Sequence, residues 1–188
     1  GPLRELEAAG RVIARVAYES PTTVEIERLS PDTIVLQGRY SDGAASDILR
    51  MKKYSSALRV FELDDYVVSA PKKNSHARNK PANIEQMLRD GIALCDRLVV
   101  TTQPLADVLS DMHSDIRVVP NMLAPEPWAG LSSRRGTSSK PRVGWGGGTS
   151  HTGDLEVIAD VVRELASEVE WVFFGMCPDA LRPYVHEF

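Results

Sequence analysis

The sequence predicts an α/β protein whose core is a doubly wound, Rossmann-like parallel sheet. Short apolar segments of strand length alternate along the chain with helix-like segments, as in βαβ units. The apolar segments are nearly continuous rather than alternating, which is typical of parallel strands buried on both faces. Because crossovers between parallel strands are right-handed, such a chain is expected to wind helices onto both faces of one sheet.

Each element is assigned from its local pattern. Strands are expected at 11–17, 33–37, 58–63, 97–100 and 116–119. Helices are expected at 3–9, 21–29, 44–54, 83–95 and 104–112. Asn83 and Gln86 have the spacing of a capping box, which predicts a helix that begins at Asn83.

The composition changes at 125–140, where Pro, Gly, Ser and Arg dominate. We interpret this segment as a linker between a first domain at 1–124 and a second, incomplete Rossmann-like domain at 141–188. In the second domain, strands are expected at 142–145 and 170–174, and helices at 154–166 and 178–186. So short a segment is close to the roughly 40-residue limit for an independent core. We therefore expect it to pack on the first domain or on another chain, which allows self-association.

The composition excludes several functional classes. The 188 residues are 43% hydrophobic and 26% charged, as in ordinary globular proteins. The net charge of −4 gives no basic footprint for nucleic acid. The two cysteines, Cys95 and Cys177, lie far apart without metal-ligand spacing, which favours a reducing, cytoplasmic location.

Polar residues follow the apolar strands at the positions where ligands bind in open parallel sheets. The residues expected at this edge of the first domain are Gln37, Arg39, Glu62, Asp64, Asp65, Tyr66, Thr101 and Asn121.

Glu62, Asp64 and Asp65 place three carboxylates in four positions, where they repel one another unless a cation or a hydroxyl group meets them. Three interpretations remain open. The side chains cap the next segment and form ion pairs, they bind sugar hydroxyls or act in acid–base catalysis, or the aspartates bind a metal ion.

The segment 144–148 contains four glycines in five positions, after a strand and before a helix. Such a loop lets a ligand approach the backbone. It lacks the lysine of a P-loop, and Thr149 stands where the dinucleotide fingerprint requires Gly or Ala. We expect Gly146, Gly147, Gly148 and Thr149 to meet a diphosphate, with His151 assisting. A simple flexible turn, with His151 in solvent, is the alternative.

A basic loop at 69–81 contains Lys72, Lys73 and Arg78. These residues form either a solvated surface or a site that recognises an anionic acceptor.

Five motifs, in this order, resemble those of the two-domain GT-B glycosyltransferases of group 1, the family 4-like type. The motifs lie at 30–37, 60–66, 96–102, 117–122 and 143–148 together with His151 and Asp154. The resemblance covers about 11–176. It departs from the family at Asp64 and Asp65, where many members have a histidine, and the acidic pair of the donor site is expected beyond residue 188.

The resemblance implies a hexosyltransferase that moves a sugar from a nucleotide-sugar to a glycan or lipid-linked acceptor, with retention, in bacterial-type polysaccharide biosynthesis. It implies no metal and no cofactor. Asp64 and Asp65 are candidate catalytic residues because of their position at the strand end and not because of the resemblance. The resemblance allows the full-length protein to associate peripherally with the inner face of the membrane, and it predicts that this fragment alone is inactive.

Two other functions are compatible with the sequence. The first is a non-catalytic module that uses a GT-B-like fold for binding or assembly, and the second is an unrelated Rossmann-like nucleotide-binding protein.

Overall fold

A computed structural model describes residues 2–69, 81–132 and 139–188. They form two compact units, one made of 2–68 with 81–130 and the other of the chain from 131 onward. The basic residues Lys72, Lys73 and Arg78 lie outside the described residues, as does part of the expected linker at 125–140.

The first unit is a four-stranded parallel sheet with helices between its strands. The strands are β1 (Thr33–Gln37), β2 (Leu58–Leu63), β3 (Arg97–Val100) and β4 (Ile116–Val118). The helices are α1 (Pro2–Ala8), α2 (Thr23–Leu29), α3 (Ala44–Tyr54), α4 (Ile84–Ala93) and α5 (Gln103–Val108), with a 3-10 turn at Val67–Ser69. The predicted α/β class and parallel pairing are confirmed.

The strand order is β1-β2-β3-β4, so the order does not reverse within the described sheet. Leu36, Phe61 and Leu98 are paired neighbours on one face, and all three belong to the core formed with α2 to α5. On the other face Val35 is 57% exposed. Right-handed crossovers between sequential strands put the helices on one face. The double winding that the sequence predicted is therefore not observed in this sheet.

A buried guanidinium joins the amino ends of β2 and β3. Arg59 is 8% exposed. Its Nη2 donates to Asp96 Oδ1 at 2.7 Å, its backbone N–H donates to Asp96 Oδ2 at 2.8 Å, and its Nη1 donates to the Ala57 carbonyl at 3.0 Å. The backbone N–H of Asp96 returns a bond to the Arg59 carbonyl at 2.8 Å. The backbone donor and then the Arg59 charge lower the pKa of Asp96.

Two local predictions in the first unit are wrong. The segment 11–17 forms no strand, and Ile13 is 96% exposed because no described strand pairs with its backbone. Asn83 is the N-cap residue of α4, as expected, but its side chain makes no capping bond. The Gln86 side chain bonds Asp90, so the predicted capping box does not form. A complete capping box is present on α2, where Thr22 and Glu25 each satisfy a backbone N–H of the other.

The second unit pairs β5 (Arg142–Gly146) with β6 (Glu170–Phe174) in parallel. Its helices are α6 (Thr152–Val157) and α7 (Ala159–Glu164), with 3-10 turns at Thr149–His151, Leu165–Ser167 and Arg182–Tyr184. Leu155, Val162 and Phe173 lie at the centre of its core. The predicted helix at 154–166 is thus divided at Ile158, and the one predicted at 178–186 is reduced to a 3-10 turn.

We predict that Asp96→Ala lowers the free energy of unfolding by about 2 kcal/mol, because it leaves the buried Arg59 charge without its carboxylate. The loss is moderate because the Asp96 side chain is 37% exposed, so water can replace part of the carboxylate. Chemical unfolding at pH 7 measures this. Asp111→Ala is the matched control, since it breaks an ion pair with Arg89 at 2.8 Å in which Asp111 is 61% exposed. The control should leave the unfolding midpoint unchanged. Equal effects of both variants would contradict the prediction.

Candidate functional site

The carboxyl ends of β1, β2 and β3 lie side by side in register. Gln37 is the partner of Glu62, and Glu62 is the partner of Val99. Directly after β1, the Gly38 N–H donates a hydrogen bond to the Glu62 carbonyl at 3.0 Å. The pairing therefore brings together the polar residues that follow separate strands in the sequence.

Glu62 is the central carboxyl group of this edge and is half-buried. Burial raises its pKa, the nearby charge of Asp64 raises it further, and a hydrogen bond with the Gln37 side chain acts in the opposite direction. A carboxyl group with a raised pKa exchanges its proton closer to neutral pH, which suits a general base or acid. The sequence placed Glu62 at the edge without singling it out for this property.

Asp64 and Asp65, the predicted catalytic pair, are both exposed. The carbonyl of Asp64 accepts a hydrogen bond from Thr101 Oγ1 at 3.1 Å. Thr101 is 8% exposed, so this bond gives it a structural role that ties the end of β3 to the loop after β2. The neighbouring Thr102 caps α5 through the Leu105 N–H.

Tyr40 belongs to the same edge, and the sequence reasoning missed it. Its ring covers Gly38, where a Cβ atom would lie 3.4 Å from Tyr40 Cε1. Burial raises the pKa of its phenol, and the charges of Asp64 and Asp65 raise it further. The available signal was a tyrosine placed three residues after the end of a strand. We call Gln37, Tyr40, Glu62, Asp64 and Asp65 the edge cluster.

Three further residues were predicted at this edge, namely Arg39, Tyr66 and Asn121. The charge of Arg39 acts on Asp47 in α3, whose pKa it helps to lower after larger effects of Ser20 and Arg50. Tyr66 is 41% exposed, and Asn121 is exposed beyond β4. Among the described hydrogen bonds, none joins these two side chains to the edge cluster.

The glycine loop, residues 146–148, begins at Gly146, the last residue of β5 in the second unit. The Gly147 N–H donates to the Phe174 carbonyl at 3.0 Å. A Cβ atom at Gly147 would lie 2.7 Å from Cη2 of Trp145, which real Cβ atoms do not approach. Packing therefore requires a glycine at 147.

Gly146 and Gly148 differ from Gly147. A Cβ atom at either position would meet nothing within 4 Å, and neither residue has the positive φ that favours glycine. Neither packing nor backbone conformation requires glycine at these two positions. Both residues are exposed, so a ligand can reach their backbone.

His151 follows the glycine loop and is oriented by a neighbour. Its backbone N–H donates to the Gly148 carbonyl at 3.0 Å, and the Nδ1 atom of its ring lies 2.8 Å from Asp154 Oδ2. The imidazole is 56% exposed. Thr149 is also exposed. An imidazole held through Nδ1 presents Nε2 to solvent, where it can meet a ligand.

No family model, no curated protein and no solved structure matches the chain. Over the part of the chain that the structure describes, no helix has the length and apolarity needed to cross a membrane. The same residues include no group of three acidic, His or Cys side chains arranged to hold a metal ion.

We predict that Glu62→Gln stabilises the protein at pH 7 but not at pH 4. A raised folded-state pKa means that the stability contributed by protonated Glu62 is present below its ordinary pKa of 4.5 and is lost as the pH rises through the folded value. Glutamine does not titrate and avoids this loss. Chemical unfolding of both proteins at the two pH values tests the prediction. A stability difference that is the same at pH 4 and pH 7 would contradict it.

Proposed function

We propose that the chain is part of a GT-B-type glycosyltransferase that transfers a sugar from a nucleotide-sugar to a glycan or lipid-linked acceptor. The observation that supports this best is the glycine loop. It begins at the last residue of a parallel strand, and two of its three glycines, Gly146 and Gly148, are not required by packing or backbone conformation. Glycine at such positions lets the oxygen atoms of a diphosphate approach the backbone N–H groups.

The departing nucleoside diphosphate carries negative charge that must be stabilised as the glycosidic bond breaks. Backbone N–H groups fixed in place provide this stabilisation without a metal ion. In this proposal Gly146, Gly148 and Thr149 contact the diphosphate. His151, held by Asp154 at 2.8 Å, provides a further polar contact.

The edge cluster suits the hydroxyl groups of an acceptor. A carboxylate, an amide and a phenol, from Glu62, Gln37 and Tyr40, offer both hydrogen-bond donors and acceptors. The raised pKa of Glu62 fits removal of a proton from an attacking hydroxyl better than a fully exposed carboxylate does. Asp64 and Asp65 would bind neighbouring hydroxyls, and their catalytic role remains part of the proposal.

A Rossmann-like nucleotide-binding protein without transferase activity is the second candidate. The exposed glycines Gly146 and Gly148 support it equally well, because a backbone that receives the diphosphate of a nucleotide needs no acceptor site. The edge cluster has no role in that case.

A calorimetric titration of the chain with nucleoside diphosphates and nucleotide-sugars, with and without Mn²⁺, tests the proposal. We expect saturable binding without metal, with a nucleotide-sugar bound more tightly than its nucleoside diphosphate. Gly148→Ala should weaken binding about tenfold, because its methyl group occupies the space of the diphosphate. Gly130→Ala, at another glycine with open space around it, is the matched control.

Several outcomes would contradict the proposal. Absence of binding in the wild type would reject it, and equal binding by Gly148→Ala would remove the glycine loop from the site. Nucleoside diphosphates bound as tightly as nucleotide-sugars would favour the nucleotide-binding module. Strict dependence on Mn²⁺ would favour a metal-binding role for the aspartates.

A further inference from the structure

The glycine loop is held on one side by the indole ring of Trp145. The ring lies so close that a Cβ atom at Gly147 would stand 2.7 Å from Cη2 and 2.8 Å from Cζ2. Trp145 is itself half-buried and packs on Phe173, with ring centroids 5.7 Å apart. The loop is thereby connected to the core of the second unit through a rigid side chain.

The backbone after β6 holds the loop at the same residue. The Gly147 N–H donates to the Phe174 carbonyl at 3.0 Å. Gly175 has φ +91°, and a Cβ atom there would lie 2.5 Å from the Gly147 carbonyl oxygen. Both the conformation and the contact require a glycine at 175, so the two chain segments touch through their backbones.

We infer that Trp145 and Gly175 are positioning residues that clamp the glycine loop at Gly147. The clamp fixes the backbone on each side of Gly147, at Gly146 and Gly148, before any ligand binds. A loop ordered in advance loses less conformational entropy on binding, which increases affinity. The clamp rests on the contacts above, and its consequence for diphosphate binding rests on the proposed function.

Trp145 also contributes to the core, so a test must separate positioning from general stability. Trp145→Phe does so, because phenylalanine keeps an aromatic ring toward Phe173 but lacks the Cζ2 and Cη2 atoms that meet Gly147. Trp128→Phe is the matched control, since Trp128 is 55% exposed and lies in the first unit.

Amide hydrogen exchange of the whole chain, followed residue by residue, measures the clamp. In Trp145→Phe we expect the Gly147 N–H to exchange about tenfold faster, while the Phe173 N–H, bonded to the Glu187 carbonyl at 2.9 Å, keeps its rate. Inorganic pyrophosphate, titrated by calorimetry, should bind about tenfold more weakly to this variant. Trp128→Phe should match the wild type in both measurements.

Two results would overturn the inference. An unchanged rate at Gly147 would show that Trp145 does not hold the loop, and an equal acceleration at Gly147 and Phe173 would show that it only stabilises the unit. If wild-type protein binds pyrophosphate and Trp145→Phe binds it equally well, the clamp has no role in binding. If the wild type binds no pyrophosphate, the proposed function fails, and the exchange rates still decide whether the clamp exists.

Discussion

The buried charge of Arg59 is the constraint on which the first unit depends. A guanidinium that is 8% exposed must be paired, and its partners are Asp96 and the carbonyls of Ala57 and Leu94. These bonds connect the start of β2 to the turn before β3 and so support the pairing of Val60 with Arg97. At the other end of the same strands, this register brings Asp64 within hydrogen-bond distance of Thr101. The Arg59–Asp96 ion pair at the amino ends of these strands and the Thr101–Asp64 bond at their carboxyl ends therefore belong to the same register.

The strands were predictable because buried parallel strands appear in a sequence as short, continuous apolar segments. Those at 33–37, 58–63, 97–100 and 170–174 have the predicted bounds, and each is flanked by turn residues or polar residues. The segment 11–17 has a similar apolar content but forms no strand, because pairing depends on a partner that local pattern does not reveal. The winding of the sheet was mispredicted for a related reason. The strand order is a tertiary property that the local pattern does not reveal. In the sequential order the helices lie on one face of the sheet, and Val35 on the other face is exposed.

The positions of the candidate site along the chain were predictable. The rule that ligands bind beyond the carboxyl ends of parallel strands identified Gln37, Glu62 and Asp64, and the glycine pattern identified the loop. Sequence could not show that Thr101 is used structurally or that Tyr40 folds back over Gly38, because both follow from tertiary contacts. It also could not distinguish Gly147, which Trp145 requires, from Gly148, which packing does not require.

The glycine loop is proposed to bind a diphosphate through its backbone. The most direct test is an NMR titration of ¹⁵N-labelled protein with a nucleoside diphosphate, in which every backbone amide reports separately. We expect saturable shifts that are largest at the amides of Gly146, Gly148 and Thr149, the three residues proposed to contact the diphosphate. Saturable shifts confined to other parts of the chain, or no saturable shift at any amide, would contradict it.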